Sequence, residues 1–109
     1  MAKTMIKISD NENGTIVLKR DVFSSIAFIS AQEDNGVVLE NSTFKNSVNC
    51  KIENDKLSIA IDLKVRYGQH VQKTCAKVQD KVHKAILDMT GISCDEVDVN
   101  VIGFNFNAQ

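Results

Sequence analysis

The chain has 109 residues, of which 43% are hydrophobic, and its formal net charge is −1. That length fits one domain rather than two, and the composition supports one modest hydrophobic core. The near-neutral charge argues against a general polyanion binder, but it is compatible with a local basic patch.

The cysteines and the first residues indicate a compartment. Cys50, Cys75 and Cys94 are odd in number and show no CxxC spacing. They therefore predict reduced thiols in a cytosolic protein rather than a disulfide framework. The start, MAKTMIKISDNENG, lacks the apolar run of a signal peptide. No stretch approaches the ~20 apolar residues that cross a bilayer, so we expect a cytoplasmic protein whose membrane association, if any, depends on a partner.

The N-terminal segment is polar. Residues 1–13 predict an N-terminal tail, with a short strand at Met5–Ile8, and residues 14–109 predict the folded domain. Gly14 separates the tail from a second short strand at Ile16–Leu18.

A first helix is expected from about Arg20 to Glu33. Val22, Ile26 and Ile29 recur at helical spacing and predict its apolar face, which Phe23 widens. Phe28 falls on the opposite side of the same helix, so we expect it to be exposed.

The clearest pattern is a hairpin in the middle of the chain. Val37–Leu39 predicts a short strand, and residues 40–47 predict a surface loop. Val48–Glu53 and Leu57–Tyr67 alternate apolar and polar residues with period two, which is typical of half-buried strands. Asn54-Asp55 between them predicts a tight turn.

A second helix is predicted over VQKTCAKVQDKVHKAILDMT, and Thr90-Gly91 ends it. Its apolar side chains cluster within about a third of the helix circumference and are expected to face the core. They are Val71, Cys75, Val78, Val82, Ala85, Ile86 and Met89. Val97–Val101 predicts a final strand, which a right-handed crossover would place parallel to Leu57–Tyr67.

Together these elements predict an α+β fold. We expect two layers, in which two helices pack on one face of a mixed sheet of three or four strands.

The second helix offers possible metal ligands, but they do not converge. His70, Cys75 and His83 point in three directions from one helix, whereas zinc needs three or four ligands around one point. The sequence also lacks the GxGxxG, Walker, GxSxG and HExxH motifs. We therefore expect no metal, no cofactor and no catalytic residues, and hence no enzyme.

The far side of the second helix carries a stripe of lysines. They are Lys73, Lys77, Lys81 and Lys84. Such a stripe could hold phosphates of nucleic acid or lipid. The interleaved Asp80 and Asp88 dilute its field, and no aromatic residue stands in it to stack bases. The stripe is therefore a candidate polar partner surface, and a nucleic-acid-binding module is the alternative function.

The last strand changes register. Its apolar residues stand at odd positions through Val101 and then at even positions, at Ile102, Phe104 and Phe106. A slip of one residue turns side chains to the other face of a sheet. One alternative is a bulge at Gly103 that returns these side chains to the core.

The other alternative exposes large aromatic side chains. Phe104 and Phe106 would then lie on the outer face beside Lys64 and Arg66, and such a patch usually marks an interface. Phe28 could extend it. We therefore predict a candidate interface at Phe28, Ile102, Phe104 and Phe106, used for self-association or for partner binding.

Several segments resemble a known family. A strand ends at Tyr67-Gly68, and it is followed by VxxxxAKVQDKVHKAI, by MTG and by VDVNVIGFNF. Upstream stands GTIVLKRDVFSSIAFISAQEDNGV, with an opening strand, a helix and a Gly-Val segment. This pattern is similar to the alkaline shock protein family of bacteria, also called the envelope stress response family, over most of residues 14–106. Its best markers are the packing and turn residues Tyr67-Gly68, Val78-Gln79, Val82 and Thr90-Gly91.

The resemblance implies a small, cytosolic, non-enzymatic protein tied to cell-envelope stress. It implies association with the membrane through partner proteins and no established catalytic residues. We therefore expect an interaction or scaffold protein in cell-envelope homeostasis, with protein partners that include a membrane-anchored one or a second copy of this chain.

Overall fold

The computed structural model describes residues 5–39 and 47–106, which form strands and two helices. The elements in chain order are β1 Met5–Asn11, β2 Gly14–Lys19, α1 Arg20–Gln32, β3 Val37–Val38, β4 Val48–Glu53, β5 Lys56–Arg66, α2 Val71–Thr90 and β6 Glu96–Asn105. The loop predicted for residues 40–47 lies outside the described residues, except for Ser47.

Strand β5 is the centre of a four-stranded mixed sheet. From Ser58 to Arg66, β5 pairs in parallel with β6. This pairing occupies one edge of β5 along most of its length. The antiparallel strands β4 and β3 therefore share the other edge, one after the other. The predicted α+β class is confirmed, and so is the parallel pairing of the last strand.

The β4–β5 hairpin follows the predicted pattern. Asn54 and Asp55 connect the strands with φ values of 51° and 63°, which are the positive angles that a two-residue hairpin turn requires. On the inner face, Leu57, Ile59 and Ile61 are almost completely buried, whereas the alternating outer positions are partly or fully exposed. The period-two alternation in the sequence therefore arises because one face of the sheet is covered and the other is open.

Both helices cover that inner face. Helix α1 packs on β4, α2 packs on β6, and the two helices contact each other. In the middle of α2, the side chains of Val78, Val82 and Ile86 are fully buried in the core, as predicted. Helix α2 ends at Gly91, whose φ of 77° gives the left-handed cap expected from the sequence.

The predicted face of α1 is right for Phe23 and Ile26, which are buried, and wrong for Phe28 and Ile29. Phe28 is buried in the core with 8% of its surface exposed, whereas Ile29 is 57% exposed. The face that packs on the sheet uses Phe23 together with small residues, because small side chains let the helix approach closely. Ser30 can be buried there because its hydroxyl donates to the carbonyl of Ile26 at 2.7 Å. Phe28 is therefore not available as the interface residue that we predicted.

The N-terminal segment forms more strand than the sequence indicates. Strands β1 and β2 pair as a separate antiparallel hairpin. Its base packs on the core through Ile6 and Leu18, while Ile16 remains 50% exposed farther out. The division at residue 13, between a tail and a domain, falls in the turn of this hairpin and stays a prediction.

Candidate interaction surface

The C-terminal half of β6 contains a β-bulge. The register runs regularly to the pair Leu63–Val101 and then resumes at Lys64–Gly103. Ile102 is therefore the extra residue, one position before the predicted Gly103. After the bulge, Phe104 lies opposite Val65, which is fully buried on the helix side of the sheet. The bulge thus returns Phe104 to the inner face, as the first alternative predicted.

The returned side chains are exposed all the same. The exposed fraction rises along β6, from 38% at Val101 to 45% at Phe104 and 74% at Phe106. Gln79 of α2 lies over Val97, because its side-chain amide donates to the Val97 carbonyl at 2.9 Å. From there α2 extends back only about 12 Å to its first residue, whereas the strand extends about 30 Å onward to Phe106. The end of β6 therefore projects past the helix layer.

Three rings gather on this uncovered end of the sheet. Tyr67, directly after β5, lies 5.2 Å from Phe106 and 6.4 Å from Phe104 between ring centroids. These separations and the edge-on angle of 78° to Phe104 are typical of attractive aromatic pairs. Tyr67 itself is 72% exposed. We call Tyr67, Phe104 and Phe106 the aromatic patch.

The backbone beside the aromatic patch adds a second feature. Among the described residues, β6 pairs with β5 alone, so it is an edge strand. At its start the side chain of Gln79 covers the Val97 carbonyl. The bulge residue Ile102, farther along, is 53% exposed. An edge strand presents backbone donors and acceptors that an extended segment of another chain can pair with.

The predicted lysine stripe is exposed, but it does not form a concentrated site. Lys73, Lys77 and Lys81 lie on the outer side of α2. Lys84 pairs with Asp80, with 3.1 Å between ammonium nitrogen and carboxylate oxygen. The charge of the stripe is therefore partly neutralised within the helix itself.

The histidines and Cys75 occupy separate positions. His70 caps α2, because its Nδ1 accepts a hydrogen bond from the Lys73 backbone at 3.3 Å. His83 and Cys75 are both partly exposed on the same helix. In residues 5–39 and 47–106, no group of three or more His, Cys, Asp and Glu side chains is placed to hold a metal ion.

The buried cysteines are poorly suited to nucleophilic chemistry. Burial raises the pKa of the Cys50 thiol to about 12. Burial likewise raises the pKa of the Cys94 thiol to about 11. Both groups therefore stay protonated at neutral pH, whereas the thiolate is the reactive form.

The sequence indicated only part of this surface. Phe104 and Phe106 were predicted, and the structure places both rings beside Tyr67. Tyr67 was recognised only as a turn marker, although its position at the end of an alternating strand places it on the same face. The position of His70 before the helix was the signal for its capping role.

Fold and surface together define a small α+β protein whose sheet ends in an exposed aromatic patch. The chain belongs to the family of alkaline shock protein 23, whose family model matches residues 8–106 and is described as having a cell envelope-related function. The resemblance noted in the sequence is therefore confirmed.

A curated relative supports this assignment. The chain is 24% identical over 113 residues to the uncharacterized protein YqhY of Bacillus subtilis (strain 168), covering 92% of this chain and 84% of that one. No solved structure matches the chain. Within the described part of the chain, neither helix combines the length and the apolar character needed to cross a membrane.

Proposed function

We propose that this protein is a non-enzymatic interaction module, or scaffold, that contributes to cell-envelope homeostasis by binding other proteins. We further propose that it works in the cytoplasm and reaches the envelope through a membrane-anchored partner. The cell envelope-related description of its family supports the setting. The aromatic patch is the observation that carries the binding role.

Exposed aromatic side chains of this kind are typical of interfaces. Tyr and Phe are enriched in the core of protein interfaces, because a large rigid ring buries much area at little entropic cost. Phe106 and Tyr67 expose 74% and 72% of their surface, and their ring centroids lie 5.2 Å apart. The two rings thus offer one continuous aromatic surface to a partner.

The backbone of β6 extends the proposed contact. An extended segment that pairs with the edge near Ile102 would place alternate side chains on the inner face, beside the rings. That segment belongs either to a partner protein or to β6 of a second copy. Two copies of the same edge give a closed, isologous dimer.

The test is the double substitution Phe104→Ser with Phe106→Ser. Both side chains are already substantially exposed, so the variant should keep its circular dichroism spectrum and unfold cooperatively. Light scattering over a range of concentrations would measure self-association. Capture from a membrane extract, followed by mass spectrometry, would measure partner binding. We expect the variant to lose whichever association the native protein shows.

The matched control is Ile16→Ser with Val17→Ser, which removes two exposed apolar side chains from the separate N-terminal hairpin. It should keep the association. The proposal is wrong if both double variants associate as the native protein does, or if the native protein neither self-associates nor captures a partner. Unfolding of the patch variant would instead assign the rings to the core.

The nucleic-acid alternative has no comparable support. Its lysine stripe is interrupted by the Asp80–Lys84 pair, and the family description points to the cell envelope.

A further inference from the structure

A groove of about 540 Å³ runs between α1 and α2, on the helix layer. Three of the apolar residues that line it are exposed. Val22 is 38% exposed, Ile29 57% and Met89 72%. Ser25 and Ala85 also line the groove, and their small size leaves room for another element to approach the two helices closely.

The charges around the groove have one sign. Asp21 and Glu33 line it, and none of the residues that line it is basic. Glu33 caps the C-terminal end of α1, which has no basic side chain in its last turn. That end carries the negative pole of the helix dipole, so the carboxylate adds to an existing negative potential. Glu33 also lines the neighbouring polar cleft, together with Lys77 and Lys81, whereas neither lysine lines this groove.

The separation of the two acids sets a length. Asp21 and Glu33 stand at opposite ends of α1, and their separation by twelve positions corresponds to about 18 Å of helix. A partner helix of about three turns would therefore span the groove and bring its own ends close to both carboxylates. Apolar residues at helical spacing would contact Val22, Ile29 and Met89.

We propose that this groove binds an amphipathic helix of a partner protein, with basic side chains near both ends of that helix. The apolar floor supplies the contact area, and the two carboxylates select the charge. An anionic lipid would meet repulsion at the same carboxylates. The inference goes beyond the proposed function, because the groove lies between the helices and the aromatic patch lies past the start of α2.

The proposal is tested with a synthetic capped peptide of about four helical turns. The peptide carries leucine at helical spacing, lysine at both ends and alanine elsewhere. A second peptide has glutamate in place of every lysine. We expect the lysine peptide to bind the native protein and to shift the amide resonances of Val22, Ile29 and Met89, and the glutamate peptide to bind at least several-fold more weakly.

Two variants locate the binding. Ile29→Lys should weaken the lysine peptide by about tenfold or more, because it removes a large apolar contact and adds a like charge. Glu33→Lys should weaken the lysine peptide and tighten the glutamate peptide. Ile16→Lys is the matched control, since it makes the same change at a residue 50% exposed on the N-terminal hairpin. It should leave both affinities unchanged.

Several results would overturn the proposal. One is the absence of binding to the lysine peptide at about 1 mM, and another is equal affinity for the two peptides. Binding to phosphatidylglycerol vesicles that Ile29→Asp abolishes, without peptide binding, would assign the groove to lipid instead. The double variant of Phe104 and Phe106 should bind the peptide normally, so failure of the groove and failure of the aromatic patch are distinguishable.

Discussion

The two ends of the paired strands β5 and β6 differ in their hydrogen bonding and in their burial. At the start, the Asp95 carboxylate accepts a hydrogen bond from the Leu57 backbone at 2.7 Å. The Asp95 backbone N–H in turn donates to the Leu57 carbonyl at 2.8 Å. Leu57 and the neighbouring Cys94 are buried. At the other end, the strands run past the helix layer and carry the exposed rings of Tyr67 and Phe106.

This difference separates stability from binding. Residues at the closed start are held by reciprocal hydrogen bonds and by burial, so changes there should act on the free energy of unfolding. Residues at the open end have less buried area to lose, so changes there should act mainly on association and cost less stability. Substitutions in the two regions, followed by measurements of unfolding and of association, therefore test this difference.

The largest effect is expected in the covered region. Val82→Asp would place a carboxylate at a fully buried position of α2. The cost of burying an unpaired charge rivals the typical net stability of a domain, about 5–15 kcal/mol. We expect the variant to be unfolded by circular dichroism and to show no cooperative transition in urea.

Leu87→Asp is the control for that change. It introduces the same side chain on the same helix at a residue 42% exposed, where it should leave the fold intact. A soluble, cooperatively folded Val82→Asp protein would contradict the assignment of this helix face to the core.

An intermediate effect is expected at the closed start. Asp95→Ala removes the acceptor of the Leu57 N–H and leaves that partly buried donor without its charged partner. Hydrogen bonds to charged groups contribute roughly 1.5–3 kcal/mol, so the free energy of unfolding in urea should fall by about that amount. Asp95→Asn keeps an oxygen acceptor and should lose less.

The comparison for this prediction is Asp98→Ala, at an exposed position of β6 three residues after Asp95. Surface substitutions of this kind usually stay within about 0.5 kcal/mol. Equal losses at Asp95 and Asp98 would show that the reciprocal bonds do not fasten this end of the sheet.

Much of the fold could be predicted from side-chain periodicity. The β4–β5 alternation is unambiguous because one face of the sheet is covered and the other is open. Helix α1 misled the same method, since its packing face is built largely from small residues such as Ala27, Ala31 and Ser30. When periodicity is judged from the large apolar residues alone, it assigns Val22 and Ile29 to the core. In the structure these two residues line the groove between the helices.

The candidate site shows a different limit. The change of register at Ile102 could be read from the sequence, and so could the need for a bulge. The exposure of Phe104 could not, because it depends on how far α2 reaches along β6. Inner face and buried core are the same only where a second layer lies above the sheet. For the same reason, the sequence left two alternatives, a bulge that returns Phe104 to the inner face and an exposed aromatic patch. In the structure both apply to Phe104.

The smallest effect is expected within the bulge itself, at Gly103. A glycine at a bulge often serves a positive φ, but Gly103 is not one of the glycines with positive φ in this chain. The atoms nearest to a methyl group there belong to the Lys64 side chain, and the nearest lies at an ordinary contact distance of 3.7 Å. Gly103→Ala should therefore change the free energy of unfolding by at most about 0.5 kcal/mol, or stabilise slightly by restricting the unfolded chain. Gly91→Ala provides the contrast, because its φ of 77° is costly for alanine, by roughly 1–2 kcal/mol. Urea denaturation of both variants measures the difference. If Gly103→Ala loses as much stability as Gly91→Ala, the bulge depends on glycine, and the open end of the sheet contributes more to folding than its exposure indicates.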